Sequence, residues 1–317
     1  MGETETKGNY SLNTPLVSIV VLTYNHYFYI ENALNSILNQ KTSFAYEVLI
    51  GDDASSDGTS EIVQAYAQKY PKTVFAVIRP ENIGATRNLC DLFTRCNGKY
   101  IASCEGDDFW TDSRKLERQI DFLECNKEYI ACTHDVVLVD QQGNLLPDQK
   151  LDWVSTARDY SFADFKGVKL PGHPVSLVFR NIFLQGVSPR VIEEIDSTIA
   201  DRTIAVMLSV RGNIYHLPEA MAAYRKCISK RDSNVTAQIY TNGHSCLIDY
   251  QINEKLEQYA ESILHKKISF TARRWTIVIK ATLKAILRPS FGSQKYLKDL
   301  YKCHIEWLKR KNRRFRI

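Results

Sequence analysis

The stretch SCEGDDFW, residues 103–110, places three carboxylates, Glu105, Asp107 and Asp108, within four positions. Carboxylates so close repel one another unless something cationic sits among them. Aspartates are hard oxygen donors suited to Mg²⁺ or Mn²⁺. A divalent ion held by one or two carboxylates is commonly completed by phosphate oxygens of a ligand, so the cluster points to a metal–nucleotide diphosphate site. A second acidic pair, Asp52 and Asp53, opens DDASSDGT. Alone, that segment reads as a polar turn before a helix. Two acidic clusters at comparable places in the chain shift the balance toward a shared site.

What must position them is a strand–helix alternation. LVSIVVLTYN (16–25) is continuously apolar and β-branched, like a strand buried on both faces. YIENALNSILNQ (29–40) sets Ile30, Ala33, Leu34, Ile37 and Leu38 on one side of a helix. Then follow strand YEVLIGDD, helix DGTSEIVQAYAQKY with Asp57 as its cap, strand TVFAVIRP, and helix GATRNLCDLFTRC ending at Gly98. Strand KYIASCEGDD and helix SRKLERQIDFLECN, with its charges at three- and four-residue spacing, complete the series. Short connections between such elements predict βαβ units and a mostly parallel sheet, an α/β fold. Ligands bind such sheets at the carboxyl ends of the strands. The predicted ends carry Thr23, Tyr24 and Asn25, then Asp52 and Asp53, then the 105–108 cluster.

Several other chemistries are excluded. There is no GxxxxGK[ST] loop, and no GxGxxG follows the first strand. Neither a GxSxG elbow nor HExxH occurs. The eight cysteines form no CxxC pair, which reads as free core thiols in a reducing compartment. The polar opening MGETETKGNYSLNTP is unlike a secretory signal, and no run of apolar residues is long enough to span a bilayer. The total charge of +5 is unevenly spread. Residues 265–317 hold 16 Lys and Arg against Asp299 and Glu306, a net +14, leaving −9 on the rest. An acidic body with a basic tail implies two jobs.

In order, VSIVVLTYNHYFYIENALNSILNQ, YEVLIGDDASSDGTSEIV, NIGATRNL and GKYIASCEGDDFW resemble the family 2 inverting glycosyltransferases with a GT-A fold, across residues 17 to about 135. The segment IADRTIAVMLSVRGNIYHLPEAMAAYR (199–225) looks like that family's acceptor side. The resemblance implies that Leu22, Thr23 and Tyr24, with Asn25, pack on a nucleotide base and that Asp53 reads its imide edge, which suits uracil. It puts Asp107 at the ribose or metal and Asp108 on the metal, Mn²⁺ or Mg²⁺. Glu105 stands for the family's first Asp and is one methylene longer, so direct ligation falls to the two aspartates. Asp201 matches the general base. Its other reading is an acid interacting with a helix N-terminus, and Glu193, Glu194 and Asp196 are neighbouring rivals. The family's chemistry would move a sugar, with inversion, from a UDP-sugar or similar donor to a hydroxyl of a saccharide or lipid-linked acceptor.

Weaker candidates are Arg87 at the nucleotide, His173 and Arg180 in LPGHPVSLVFRN, and Asp135 after His134. The domain reading is a polar tail (1–14), a GT-A transferase domain (15–225) and a C-terminal helical basic extension (226–317). In that extension, FTARRWTIVIKATLKAILR (270–288) sets Arg273, Lys280, Lys284 and Arg288 on one side and Trp275, Ile277, Val278, Ile279, Leu283, Ile286 and Leu287 over the rest, broken by Pro289 and Gly292. KYLKDLYKCHIEWLKRKNRRFRI (295–317) carries Leu297, Leu300, Tyr301 and Leu308 on a stripe. Basic amphipathic helices of this kind suit an anionic membrane surface, which predicts a cytoplasmic, peripheral location on the inner face of the cell membrane. The competing readings are a helical cap on the catalytic domain and nucleic-acid binding, for which no motif is present. For the whole chain the alternatives are a nucleotidyltransferase, whose Gly-rich loop is absent, and a non-catalytic nucleotide- or saccharide-binding partner in a membrane polysaccharide assembly.

Overall fold

The computed structural model describes residues 14–147, 150–197, 200–226, 245–287 and 291–314. Nearly all of the polar tail, Cys227, Arg288 and Pro289 therefore lie outside the described residues.

The N-terminal half alternates as the sequence predicts: β1 (Val17–Thr23), α1 (Ile30–Leu38), β2 (Tyr46–Asp52), α2 (Thr59–Lys69), β3 (Val74–Ile78), α3 (Ala85–Arg95) and β4 (Tyr100–Glu105). β1 is central, parallel to β2 on one side and β4 on the other, with β3 parallel beyond β2. Its side chains alternate between two cores, as the two-residue repeat of a strand requires. Val17, Ile19 and Val21 join Ile30, Leu34 and Ile37 of α1, while Val20 joins Leu89, Leu92 and Phe93 of α3 on the opposite face. That double burial is why this strand is apolar at nearly every position.

The chain continues through β5 (Phe109–Trp110), α4 (Lys115–Cys125), β6 (Tyr129–Val139), β7 (Asp159–Tyr160), α5 (Phe162–Phe165), β8 (Val178–Arg180), α6 (Arg190–Ile195), α7 (Asp201–Ser209) and β9 (Asn213–Arg225). One mixed, mostly parallel sheet results, in the order β3-β2-β1-β4-β8-β6-β9-β5, with β7 also on β9. β8 is antiparallel to β4 and β6, and β6 pairs in parallel with β9 from Tyr129 opposite Asn213 to Val139 opposite Arg225. The register slips between His134 and Asp135, leaving Pro218 and Glu219 without partners on β6. Proline is tolerated there because a bulge needs no ladder N–H.

Two local expectations change. Asp57 does not occupy the N-cap position of α2, which is Gly58, yet it still takes the Thr59 N–H at 3.0 Å from one residue earlier. The charges of α4 bond outward to other elements, Glu117 to Ser43 and Glu124 to Lys99. Lys115 turns inward, buried over the Trp110 ring at 4.1 Å, and burial pushes its ammonium down to about 7.

Three helices follow: α8 (Ser245–Ser262), α9 (Thr271–Leu287) and α10 (Phe291–Arg314); α9 ends at Leu287, and Gly292 already lies in the first turn of α10. They pack on the sheet domain. Ile252, Leu256, Tyr259 and Phe270 share a core with α6 and α7, and Asp249 receives Arg202 from α7 and Arg273 from α9. Arg274 is fully buried, bonded to Glu257 at 2.8 Å and lying over Tyr250 and Trp307. Among the described residues no helix is long and apolar enough to cross a membrane.

Candidate active site at the carboxyl ends of the parallel strands

β1, β2 and β4 deliver their last residues to one rim. Backbone bonds fix the arrangement: Thr23 O accepts from Asp53 N at 3.0 Å, and Leu22 O accepts from Gly106 N at 2.8 Å. The turns after β1 and β2 are stapled together. Asn25 and Ala54 both adopt positive φ, 56° and 63°. Asn25 N donates to Ser55 Oγ, and Asn25 Oδ1 accepts from Ser56 N, both at 2.9 Å. Asparagine is among the few side chains that accept this backbone conformation.

The two aspartates after β2 have different environments. Asp52 is fully buried and accepts from the hydroxyls of Ser55 and Ser60, so it holds its own turn. Asp53 accepts from the backbone N–H groups of Ile83 and Gly84 at 2.8 and 2.9 Å, pinning the loop that leads into α3. Each of its oxygens keeps a second acceptor site.

The cluster after β4 is assembled by a close approach. A Cβ on Gly106 would come within 2.8 Å of both Thr23 Oγ1 and His26 Nδ1, so only glycine lets this turn lie against β1. One oxygen each of Glu105, Asp107 and Asp108 then fall within 4.8 Å of one another. Asp108 is buried; its Oδ1 accepts from Arg225 N at 2.8 Å. The Arg225 guanidinium donates to the carbonyls of Asp107, Asp140 and Gln141 and lies over the rings of Tyr29 and Phe109. It therefore grips the backbone of the turn and leaves the carboxylates uncovered.

Four buried polar atoms converge here without a hydrogen-bond partner: Thr23 Oγ1, His26 Nδ1, Asp107 Oδ1 and Asp108 Oδ2. Among the described residues no Lys or Arg forms an ion pair with the three carboxylates. His173 Nδ1 lies 3.8 Å from Asp108 Oδ2, but that nitrogen already accepts the Val175 N–H. Burial pushes the His173 imidazole down to about 3, so it is neutral and brings no charge. Burial, then Asp107 and Glu105, hold the Asp108 carboxyl far above the carboxylate range, against a lowering by Arg225. Glu105 still reaches solvent, yet desolvation, followed by Asp107 and Asp201, also raises its carboxyl. Orphaned buried oxygens with no protein cation form a donor set that a hard divalent ion satisfies.

Asp201 stands at the first position of α7, near enough to Glu105 to raise it. Burial and then Asp196 push the Asp201 carboxyl up to about 6, with Arg202 opposing. The other sequence candidates sit elsewhere in the network. Arg87 is largely exposed, 3.9 Å from Glu193. Arg180 bonds to Tyr129 O, the Tyr100 hydroxyl and Leu123 O, a structural assignment well satisfied in place. Asp135 Oδ1 lies 3.0 Å from His216 Nε2.

Comparison with known proteins follows the same lines. The model of glycosyl transferase family 2 matches residues 18–184. The chain belongs to that family. Among its relatives is the uncharacterized protein Rv1520 of Mycobacterium tuberculosis, 36% identical over 210 residues, which are 66% of this chain and 58% of that protein. This family 2 chain thus spans under two thirds of that relative's length. The Bacillus subtilis glycosyltransferase TuaG, named for teichuronic acid biosynthesis, is 38% identical over 109 residues, 34% of this chain and 42% of its own. In fold, the chain is similar to Staphylococcus aureus TarS 1-349 in complex with UDP-GlcNAc, with a TM-score of 0.63, 15% identity, and coverage of 90% of this chain and 79% of that one. It is also similar to the mannosyltransferase PcManGT from Pyrobaculum calidifontis in complex with GDP-Man and Mn²⁺, at a TM-score of 0.50, 16% identity, and 93% and 87% coverage. The α/β GT-A fold of this family 2 chain is therefore shared with proteins whose structures hold UDP-GlcNAc and GDP-Man.

Two participants escape sequence reading. Arg225 lies more than a hundred residues from the turn it holds, and nothing local in AAYRK marks it. His26 follows the LTYN segment directly, but its approach to Asp107, 3.9 Å, depends on Gly106.

Proposed function

We propose that this family 2 chain transfers a sugar, with inversion, from a nucleoside-diphosphate donor, UDP-linked, to a hydroxyl of a saccharide or lipid-linked acceptor at the inner face of the cell membrane. The observation that carries the reading is the convergence of four partnerless buried polar atoms at the ends of β1 and β4. Buried polar groups in folded proteins are ordinarily paired, so such a group marks a place where a ligand completes the bonding.

Asp108 and Asp107 would hold a divalent metal, and the geometry adds Glu105 to the set. When bound, Mn²⁺ or Mg²⁺ supplies Lewis-acid stabilisation of the charge that grows on a diphosphate leaving group. Leu22, Thr23, Tyr24 and Asn25 form the wall for the base. Asp53, fixed by Ile83 and Gly84, presents its remaining lone pairs to an imide N–H. Arg87, beyond the third strand, is exposed at 3.9 Å from Glu193 and would turn to a phosphate. Asp201 takes the proton of the acceptor hydroxyl as its oxygen bonds to the anomeric carbon. The bond from that carbon to the diphosphate oxygen breaks on the opposite side, and the nucleoside diphosphate leaves. A base near pKa 6 is deprotonated at neutral pH yet basic enough to accept a proton in the transition state.

The deciding experiment is calorimetric titration of UDP into the protein with and without Mn²⁺, repeated on Asp108→Ala and Asp53→Ala. Metal-dependent binding lost in the first variant and weakened about tenfold or more in the second is expected. Absence of nucleotide binding in any metal would overturn the reading. Turnover of a UDP-sugar separates a transferase from a non-catalytic binding partner.

A further inference from the structure

The sequence puts cations on one side of α9 and apolar residues over the rest. The structure divides those apolar residues in two. Ile277 and Val278 face the bundle with buried Arg274. Trp275, Ile279, Leu283, Ile286 and Leu287 stay exposed, at 44%, 54%, 53%, 68% and 78%. Their spacing of four, four, three and one keeps them on one side of the helix, a stripe about 18 Å long at 1.5 Å per residue. The neighbouring α10 widens it. The Tyr301 hydroxyl meets Thr282 at 2.6 Å, and Tyr301 and Ile305 are exposed beside it, at 37% and 51%.

The charges bordering this face are predominantly basic. Lys280 and Lys284 follow the stripe on α9 at helical positions to one flank, and Lys298, Lys302 and Lys309 follow Tyr301 and Ile305 on α10 to the other. All five are exposed, and none is engaged in an ion pair among the described residues. Arg273 is different, since it is committed to Asp249. The sequence has no acid between Glu261 and Asp299. Of the two acids of α10, Glu306 lines the groove against α8 with Glu254 and Arg310, and Asp299 is exposed beside Lys298.

We infer that this face, Trp275 to Leu287 with Tyr301 and Ile305, lies in the interface of an anionic lipid bilayer. An apolar stripe with lysines on both flanks matches the acyl boundary in the middle and the headgroup phosphates at the edges. A protein partner would need acids flanking an apolar ridge, whereas an anionic leaflet offers negative charge everywhere around the insertion. The same helices cap the sheet domain through Arg202, Asp249 and Phe270, so capping and lipid binding use opposite sides of one bundle. The inference deepens the proposed membrane location and rests on it only for its purpose; lipid binding is measured without turnover.

The test is co-sedimentation of the full chain with vesicles of phosphatidylcholine alone or with about one third phosphatidylglycerol, at low and high salt. Binding to the anionic vesicles, weakened by salt, with tryptophan fluorescence quenched by brominated lipid and the quenching reduced in Trp275→Phe, is expected. Leu283→Asp with Ile286→Asp should lower partitioning at least about tenfold. Lys280→Glu with Lys284→Glu should remove the preference for anionic vesicles. All these positions are exposed, and unchanged UDP titration and melting temperature verify the fold of each variant. No sedimentation of the parent chain, or equal binding by the variants, overturns the inference. So does a dimer of the parent chain that Leu283→Asp with Ile286→Asp turns into a monomer, since a second copy would then cover the face. Failure of UDP binding with vesicle binding intact would overturn the transferase reading and leave this one standing.

Discussion

Arg225 donates its backbone N–H to Asp108 Oδ1 at 2.8 Å, while Asp108 Oδ2, equally buried, has no partner. One oxygen is thus fixed by the protein and the other is presented. Asp108→Asn can keep the first contact and loses the charge. Mn²⁺ affinity should fall by about a hundredfold or more, since a neutral amide oxygen is a poor substitute for a carboxylate on a hard ion. The metal-free variant should melt at a higher temperature than the parent, because a carboxylate held far above its ordinary range strains the fold when ionised. Calorimetry with Mn²⁺ and a thermal melt read the two effects. Equal melting points at neutral pH would show that folding does not raise the proton affinity of Asp108.

Arg225→Met tests the grip on the turn. The carbonyls of Asp107, Asp140 and Gln141 lose their shared donor, while the backbone N–H to Asp108 remains. The expected result is a KM for the metal raised about ten- to a hundredfold, with a smaller change in kcat at saturating metal. A variant that loses kcat alone would place Arg225 at the reacting atoms instead.

For Asp201, Asp201→Asn should lower kcat by about 10²–10⁴-fold and leave UDP affinity within a few-fold. Steady-state kinetics with calorimetry distinguish this from a structural defect, which would lower both.

The pH profile carries a sign. Asp201 binds its proton more tightly folded than unfolded, so its contribution to stability is present below about pH 4 and lost as pH rises through about 6. Activity runs the other way: kcat/KM should rise with pH with an apparent pKa near 6, as the base is freed. Asp196 is the second cause of that raised value, after burial. Asp196→Asn should therefore move the acid limb to lower pH. A limb that stays in place would assign it to another group.

Much of the candidate site was legible because it is local. Runs such as VSIVVLT declare a doubly buried strand, and the residue after a parallel strand reaches the ligand edge by geometry alone. Asp53, Asp107 and Asp108 could be named from their places in that alternation. Glu105 was harder: a longer side chain argued against ligation, but the tight Gly106 turn brings its oxygen into the same cluster. Arg225 was out of reach because its partners are non-local. α9 shows the limit of periodicity. A helix apolar around most of its surface does not reveal which apolar residues are buried until its neighbours are in place, and here Arg274 is inside and Trp275 outside.

The bonds from Arg225 to the 107–108 turn span 117 and 118 residues. During synthesis the carboxylate turn leaves the ribosome long before the strand that tethers it. Loop closure over such a distance is slow, and N-terminal elements form first. A nascent chain ending before β9 therefore carries an unbraced acidic turn, and the brace arrives only with the last strand of the sheet to be made.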